Sequence, residues 1–322
     1  MTSRWHDQHR DSYVKREVCV TGGAGFIGSH IVSALDAMGA RVRVIDDLSN
    51  GRRENLAGCS KNVELIEGSI LDEVALESAV RGSSVVFHLA ALGSVPASLV
   101  TPERYQAANA TGTMMVLNAA RAAGCARVVY SASSSAYGDT PTLPKIETMV
   151  PDPRSPYAVT KLEGEHLCRA WAICYGLSTI SLRYFNIFGP RQRPDSQYAA
   201  VIPKFATALR EGTSPTIFGD GGQTRDFTHV DNAVHANLLA GLATRKLQGE
   251  MVNIGCGSKY SLLELLEQMS EVLGVKSKPI FEPVRQGDVR DSMAAIDAAK
   301  VLIGYEPIVP FAEGLRSTLA SG

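Results

Sequence analysis

Short runs of β-branched and apolar residues alternate with longer amphipathic segments through the first 185 residues of this 322-residue chain. The runs predict six β-strands, at Val18–Thr21, Arg41–Asp46, Val63–Glu67, Val85–Leu89, Val128–Ser131 and Thr179–Tyr184. Apolar residues spaced three to four apart predict helices between them, at Ser29–Met38, Glu73–Val80, Thr111–Ala123 and Tyr157–Cys174. Such alternation is typical of βαβ units. The chain is therefore predicted to be an α/β protein with a doubly wound parallel sheet.

A glycine-rich turn follows the first predicted strand, in the segment Val18-Cys-Val-Thr-Gly22-Gly-Ala-Gly25-Phe-Ile-Gly28. Glycines let the backbone approach a pyrophosphate closely, and the helix N-terminus that follows offers unpaired N–H groups. The second strand ends at Asp46-Asp47, where a carboxylate can bind a ribose diol. Because this carboxylate repels a ribose phosphate, NAD is favoured over NADP. Together these features indicate a Rossmann-type nucleotide site, whereas a glycine turn alone is weak evidence.

A second pattern joins Tyr157-Ala-Val-Thr-Lys161 to the serine-rich segment Ser131–Gly138 at the end of the fifth strand. Residues four apart share a helix face, so the Lys161 ammonium is expected beside the Tyr157 ring. A tyrosine ionises near pH ~10, and a neighbouring cation favours the phenolate. Tyr157 is therefore predicted to act as a general base, with a serine hydroxyl holding the same substrate oxygen. Taken alone, Tyr-x-x-x-Lys is usually a solvated helix face.

The sequence pattern changes after Asn186, where glycines and prolines separate shorter predicted elements. The helix predicted over Leu262–Leu273 is one of these elements. We expect an N-terminal extension over 1–17 that decorates the surface, an NAD-binding domain over 18–185, and a smaller C-terminal α/β substrate-binding region over 186–322. The last two are expected to be interleaved.

The charge balance excludes several classes of partner. Lys and Arg total 32 against 33 Asp and Glu, a net charge of −1, so no broad positive field gathers nucleic acid or an anionic membrane. No stretch approaches the ~18 apolar residues of a membrane span, and the first residues are too polar for a signal peptide. A cytoplasmic location is expected. The six cysteines show no metal-type spacing and are predicted to be reduced thiols, with no metal site.

These motifs resemble the extended short-chain dehydrogenases/reductases, specifically nucleotide-sugar epimerases of the UDP-galactose 4-epimerase type, from Val18 to about Leu319. Further segments carry the resemblance, among them His88-Leu-Ala-Ala91, Arg183-Tyr-Phe-Asn186-Ile-Phe-Gly-Pro190, Gly219-Asp-Gly-Gly-Gln-Thr-Arg225 and Arg285-Gln-Gly-Asp288. Two more, Ala91-Leu-Gly-Ser94 and Ser133–Glu147, are similar to the subgroup that acts on N-acetylated UDP-hexosamines, the UDP-N-acetylglucosamine 4-epimerases.

The resemblance implies NAD as cofactor. The residues expected to contact it are Gly22, Gly25, Phe26, Ile27, Gly28, Asp46, Asp47, Ser69, Ile70, Leu89, Ala90, Ala91, Asn109, Ser131, Tyr157, Lys161 and Tyr184. Ser69 departs from the family pattern, which commonly has an Asp there to accept from the adenine amino group. Arg52 or Arg53 could reach a ribose phosphate, but Asp46 opposes that phosphate directly.

The resemblance also implies a mechanism. Tyr157 takes the proton of the sugar's 4-hydroxyl while NAD⁺ accepts hydride from the same carbon. The 4-keto sugar then turns over, and hydride returns to its other face. Ser133 is the expected partner of the 4-oxygen, with Ser134 and Ser135 as alternatives. The other residues implied to contact the substrate are Arg225 and Arg285 at the diphosphate, Asn186 and Asp288 as polar contacts, and Ser94, Ala200, Val201 and Ser292.

Ser292 bears on substrate size. Counted from Asp288, it falls where the residue facing the sugar's 2-substituent lies in this family, and enzymes restricted to non-acetylated hexoses can carry a tyrosine there. A serine leaves room for an acetamido group, so the resemblance implies that UDP-N-acetylglucosamine and UDP-N-acetylgalactosamine are accepted. The alternative is that Ser292 is merely an exposed loop residue.

Other functions on the same scaffold stay open. A 4,6-dehydratase would need acidic residues near Ser133–Ala136, and a UDP-glucuronate decarboxylase would need a cation for the sugar carboxylate. A non-catalytic nucleotide-binding protein is disfavoured by the intact Ser133, Tyr157 and Lys161.

Relatives dimerise through a four-helix bundle, which implies a homodimer here through the segments near Glu103–Ala123 and Tyr157–Cys174.

Overall fold

The computed structural model describes residues 9, 11–193, 200–284 and 289–321. Its strands are β1 (Glu17–Thr21), β2 (Arg41–Asp46), β3 (Val63–Glu67), β4 (Val85–His88), β5 (Arg127–Ser133), β6 (Ser178–Tyr184), β7 (Ile187–Phe188), β8 (Thr216–Phe218), β9 (Thr224–Arg225), β10 (Thr228–His229), β11 (Gln248–Ile254), β12 (Tyr260–Ser261) and β13 (Ile280–Glu282). Its α-helices are α1 (Phe26–Ala37), α2 (Glu73–Val80), α3 (Val95–Val100), α4 (Pro102–Tyr105), α5 (Gly112–Ala122), α6 (Pro156–Tyr175), α7 (Val201–Arg210), α8 (Val230–Leu242), α9 (Leu262–Leu273), α10 (Asp297–Ile303) and α11 (Phe311–Ala320).

Seven strands form one central sheet, in the order β11-β6-β5-β4-β1-β2-β3. Every neighbouring pair in it is parallel. Parallel sheets bury both faces of their central strands, and β1, β4, β5 and β6 are accordingly buried along nearly their whole length, whereas β3 at the edge is not. The order reverses between β1 and β4, and ligands of such sheets bind at the carboxyl ends of the strands beside that point. The predicted doubly wound α/β fold is confirmed.

Helices cover the sheet on two sides. One core cluster packs β-strand residues against α1, α8 and α10, for example Val20 against Ile31 and Leu35. The other packs the opposite face against α2, α5 and α6, for example Val128 with Leu117 and Cys168. The amphipathic periods of the sequence predict α1, α2, α5 and α6, whereas α8 and α10 were not predicted.

The region after residue 186 contributes to both parts of the molecule. Strand β11 pairs with β6 at the edge of the central sheet, with Val252 opposite Leu182. A separate apolar cluster joins α7, α9 and α11 through residues such as Phe205, Leu265 and Phe311. Helix α9 begins at a capping box, in which Ser261 and Glu264 satisfy each other's backbone N–H groups. The division into regions 18–185 and 186–322 stays a prediction.

The N-terminal extension does more than decorate the surface. Tyr13 is fully buried, and its hydroxyl donates to the carbonyl of Leu238 in α8 at 2.9 Å. His9 lies against His235 of the same helix, with their ring nitrogens 3.2 Å apart. The expectation of a surface decoration is therefore wrong for these residues, because an aromatic ring can fill a gap beside a helix that the sequence does not reveal.

A buried ion pair ties α6 to the sheet. The guanidinium of Arg183 in β6 donates to both carboxylate oxygens of Glu165, at 2.8 and 2.7 Å. Their side chains are only 1% and 6% exposed. Because α6 also carries Tyr157 and Lys161, this pair sets the position of the helix against the strands.

Within the described ranges, no helix is both long and apolar enough to cross a membrane.

Candidate active site

The turn after β1 brings the backbone of the chain unusually close to itself. Gly22 has φ +68°, and a Cβ there would lie 2.7 Å from the backbone nitrogen of Ala90. A Cβ on Gly28 would lie far inside contact distance of the carbonyl oxygen of Gly22. Only glycine fits both positions, so the segment forms the tight strand-to-helix turn that the sequence predicts.

The N-terminus of α1 opens on a cavity. Its N-cap is Gly25, which has no side chain to satisfy the first N–H groups, and its first turn carries no acidic residue. Such an end, with unpaired N–H groups and the positive end of the helix dipole, binds a phosphate. The cavity has a volume of about 820 Å³, which is within the usual range for ligand sites.

Most residues predicted to contact the cofactor line this one cavity. They are Gly22, Gly25, Phe26, Ile27, Gly28, Asp46, Asp47, Ser69, Ile70, Leu89, Ala90, Ala91, Ser131, Tyr157, Lys161 and Tyr184. Ser94, predicted on the substrate side, lines it as well. The carboxyl ends of the strands thus bring together residues far apart in sequence.

Asp46 is buried at the end of β2 and organises the turn. Its carboxylate accepts from the backbone nitrogens of Ala24 and Leu48, both at 2.9 Å. Burial raises the pKa of Asp46, and these hydrogen bonds act in the opposite direction. Asp47 is exposed beside it. The guanidinium of Arg53 is paired with Glu67, away from the cavity lining. The uncapped helix, the glycine turn and this carboxylate fit NAD.

Asn109 supports the cavity from behind. It is buried, and its side chain accepts from the nitrogen of Leu92 at 2.8 Å and donates to the carbonyl of Leu92 at 3.1 Å. Its amide nitrogen also donates to Thr160 of α6. Asn109 therefore holds the loop after β4 against α6, and the cavity lining does not include it.

Tyr157 lies in the first turn of α6, at the cavity wall. Burial raises the pKa of Tyr157 above its usual value, while a hydrogen bond with the Ser133 side chain acts to lower it. Ser133 ends β5, and its oxygen accepts from the backbone nitrogen and the hydroxyl of Ser135, at 3.2 and 2.9 Å. Of the three candidate serines, Ser133 is the one whose side chain acts on the pKa of Tyr157.

Lys161 lies one turn after Tyr157 in α6 and lines the same cavity. Its Nζ lies 4.9 Å from the centre of the Tyr130 ring. Burial lowers the pKa of Lys161 to about 8, opposed by the carboxylate of Glu165 and by Cys168. In the protein alone, therefore, desolvation outweighs any stabilisation of the phenolate, because the low-dielectric wall disfavours every charge.

On the substrate side, Arg225 and Ser292 lie on adjacent segments. The backbone nitrogen of Ser292 donates to the carbonyl of Thr224 at 3.1 Å. The Arg225 guanidinium donates to the carbonyls of Thr224 and Arg290, at 2.9 and 3.2 Å. Ser292 is 8% exposed, so it is not the exposed loop residue of the alternative interpretation.

The other substrate-side residues are more scattered. Asn186 has φ +28°, a strained value for a residue with a side chain, and its carbonyl accepts from Thr228. Ala200 is the exposed N-cap of α7, and Val201 begins that helix. Ser134 and Ser135 form a 3₁₀ turn after β5. Arg285 and Asp288 lie outside the described residues.

Sequence reasoning missed several cavity residues. Arg191, Gln192 and Arg193 follow the Gly189-Pro190 motif and line the cavity. Tyr105 lines it too, with its ring edge-on to Tyr157 and its oxygen accepting from the nitrogen of Ser94 at 3.2 Å. The position of Arg191 directly after a quoted motif was a usable signal, whereas Tyr105 follows no pattern.

Comparisons with known proteins agree with this geometry. The family model described as the NAD dependent epimerase/dehydratase family matches residues 18–255. A UDP-glucose 4-epimerase from Mycolicibacterium smegmatis is 38% identical over 304 residues, which cover 93% of this chain and 96% of the relative. A UDP-N-acetyl-alpha-D-glucosaminuronate decarboxylase from Bacillus cytotoxicus is 32% identical, with 95% of this chain and 97% of the relative covered.

A solved structure is similar over nearly its full length. It is the UDP-N-acetylglucosamine 4-epimerase from Methanobrevibacter ruminantium M1 in complex with UDP-N-acetylmuramic acid. The TM-score is 0.91 at 38% sequence identity, and the match covers 96% of this chain and 98% of that one.

Proposed function

Since the chain belongs to the NAD-dependent epimerase/dehydratase family, we propose that it is a cytoplasmic 4-epimerase of UDP-N-acetylated hexosamines. It interconverts UDP-N-acetylglucosamine and UDP-N-acetylgalactosamine through a transient 4-keto sugar, and UDP-glucose and UDP-galactose are further candidate substrates. The observation that carries the proposal is the position of Tyr157 at the wall of the NAD cavity, with the Ser133 side chain acting on its pKa.

The chain's own residues account for proton transfer and orientation. When bound, NAD supplies a reversible hydride acceptor for carbon 4 of the sugar. Tyr157 takes the proton of the 4-hydroxyl and later returns it, and Ser133 holds the same oxygen in line. Lys161, protonated below its pKa of about 8, contributes positive charge to the cavity.

Binding of the sugar nucleotide relies on local contacts. A net charge of −1 gives the protein no general attraction for a dianionic diphosphate. We assign that role to Arg225 and Arg285, since a guanidinium matches phosphate oxygens in pairs. Asn186 and Asp288 supply polar contacts, and Ala200, Val201 and Ser94 complete the proposed pocket.

Product analysis tests the proposal. The purified protein is incubated with UDP-N-acetylglucosamine, UDP-N-acetylgalactosamine, UDP-glucose and UDP-galactose in turn, and each product is identified by NMR. We expect the 4-epimer of both acetylated sugars, with no net consumption of NAD. Turnover of the non-acetylated pair alone would contradict the proposed substrate preference, and absence of any epimer would contradict the activity.

The size of residue 292 provides a second test. We expect Ser292→Tyr to lower kcat/KM for the acetylated sugars about 10–100-fold, because a tyrosine fills the space of the acetamido group. Turnover of UDP-glucose should change little, which also shows that the variant folds. Steady-state assays with both sugar classes measure the ratio.

Ser292→Ala is the matched control for this change. It removes the hydroxyl but keeps the side chain small, so both classes of sugar should be turned over as in the wild type. Unchanged turnover of the acetylated sugars by Ser292→Tyr would show that this position does not gate the 2-substituent.

A second candidate activity is favoured by the decarboxylase relative. A UDP-glucuronate-type decarboxylase shares the oxidation at carbon 4 but releases carbon dioxide from the sugar carboxylate. Incubation with UDP-glucuronate and measurement of released carbon dioxide separates the two activities. Release at a rate comparable to epimerisation would favour the decarboxylase.

We also propose a homodimer through α5 and α6. Both helices expose large apolar side chains, Met114 on α5 and Val159, Ile173 and Tyr175 on α6. Such exposed apolar groups on adjacent helices are typical of a protein interface.

We expect Ile173→Glu to shift the protein from dimer to monomer in analytical ultracentrifugation. Val301→Glu, at an exposed position on α10, is the control and should leave the mass unchanged. A wild-type monomer would contradict the interface.

A further inference from the structure

Two hydroxyl groups meet at the cavity where β5 and β6 run side by side. Ser131 Oγ and Tyr184 Oη are 3.1 Å apart, and both residues line the cavity. The strands are parallel neighbours with Ser133 opposite Tyr184, so these side chains lie at the carboxyl edge of the sheet. A pair of hydroxyls can present either a proton or a lone pair to a ligand, depending on which way its hydrogen bonds run.

Asn237 of α8 contacts this pair from the far side. It is fully buried, and its Nδ2 lies 2.6 Å from Tyr184 Oη and 2.7 Å from the carbonyl oxygen of Ala233. Because a backbone carbonyl can only accept, the atom between Tyr184 and Ala233 must be the amide nitrogen. Asn237 is therefore a donor to Tyr184.

This donor sets the direction of the whole chain of hydrogen bonds. The Tyr184 oxygen accepts from Asn237, so its own proton goes either to Ser131 or directly into the cavity. In the part of the chain that the structure describes, these are the only hydrogen bonds of the two hydroxyls. In both arrangements the hydroxyl at the end of the chain has a proton left to donate at the cavity.

We propose that Asn237 is a positioning residue that orients the Tyr184–Ser131 pair as a hydrogen-bond donor to an acceptor oxygen of bound NAD. The inference rests on NAD as the cofactor and not on which UDP-sugar is the substrate. It assigns a function to a residue that lies outside the cavity lining and beyond residue 186.

The test measures the NAD dissociation constant of cofactor-free protein by titration. Asn237→Asp introduces a carboxyl group. Once ionised, it can only accept hydrogen bonds, so it draws the Tyr184 proton towards α8. We expect NAD binding by this variant to weaken about 10-fold as the pH rises from mildly acidic to mildly alkaline, beyond any change in the wild type. Tyr184→Phe should weaken binding by a similar factor without that pH dependence.

Asn232→Asp is the matched control. Asn232 is also fully buried on α8, but its amide donates to the carbonyl of Val309 and accepts from Ile308 and Val309, away from the cavity. The substitution should lower thermal stability and leave the NAD dissociation constant unchanged at every pH. A structural defect common to both asparagine variants would show equally in the two.

Two results would overturn the proposal. One is a folded Asn237→Asp protein whose NAD affinity follows the wild type across the pH range. The other is wild-type NAD affinity in Tyr184→Phe and Ser131→Ala, which decides the matter even where the Asn237 variant does not fold. Neither result bears on epimerase activity towards a given sugar, so the two proposals fail separately.

Discussion

Replacing Tyr157 with phenylalanine is expected to lower kcat for epimerisation about 10²–10⁴-fold, the usual contribution of a general acid–base group. The substitution removes only the hydroxyl that pairs with Ser133 and keeps the ring that packs edge-on against Tyr105. The cavity should therefore keep its shape, and KM should change far less than kcat. Initial rates with UDP-N-acetylglucosamine measure both parameters.

Tyr175→Phe serves as the control on the same helix. Tyr175 ends α6 and lies outside the cavity lining, so loss of its hydroxyl should leave kcat unchanged. Thermal unfolding of both variants should resemble that of the wild type. A Tyr157→Phe enzyme that epimerises at the wild-type rate would exclude Tyr157 as the base, whatever the sugar.

Glu165→Ala is expected to lower the free energy of unfolding by about 3–5 kcal/mol, the usual cost of breaking a buried ion pair from one side. It leaves the Arg183 guanidinium charged, and that side chain is only 1% exposed. Arg183 Nη1 already has no hydrogen-bond partner among the described residues. The Cζ atom of Arg183 lies 4.5 Å from the centre of the Tyr137 ring. Urea denaturation followed by far-UV circular dichroism gives the difference.

Glu306→Ala is the exposed counterpart of this change. Glu306 pairs with Lys300 at the surface, where both side chains are more than half exposed, so its loss should leave stability nearly unchanged. Equal denaturation midpoints for the Glu165 and Glu306 variants would show that the buried pair contributes nothing beyond a surface one.

Local rules explain why much of the fold was predictable. The strands of the sheet before residue 186 are rich in β-branched and apolar residues, and their observed bounds differ by at most two residues from the predicted ones, with β2 and β3 matching fully. Asp46 and the glycine turn follow a spacing that backbone geometry itself requires. In contrast, β11 was not predicted, because its partner β6 lies 70 residues earlier in the chain and the pairing has no local signal.

The site was predictable in part for the same reason. Tyr157 and the cavity residues follow motifs, but the sequence could not separate Ser133 from Ser134 and Ser135, because a turn after β5 decides which hydroxyl meets the helix. It also gave no sign of Tyr130 from β5, whose ring centre lies 4.9 Å from Lys161 Nζ. Asn237 had no motif at all.

The sequence by itself determined the alternation of strands and helices, the glycine turn and the chemical groups available for binding NAD. These depend on residue spacing and on backbone conformations that a few neighbouring residues decide. Only the tertiary structure decided the protonation and direction of those groups, such as the raised pKa of Tyr157 and the donor from Asn237 to Tyr184. Burial and hydrogen-bond polarity depend on what packs against a side chain, and those neighbours come from distant parts of the chain.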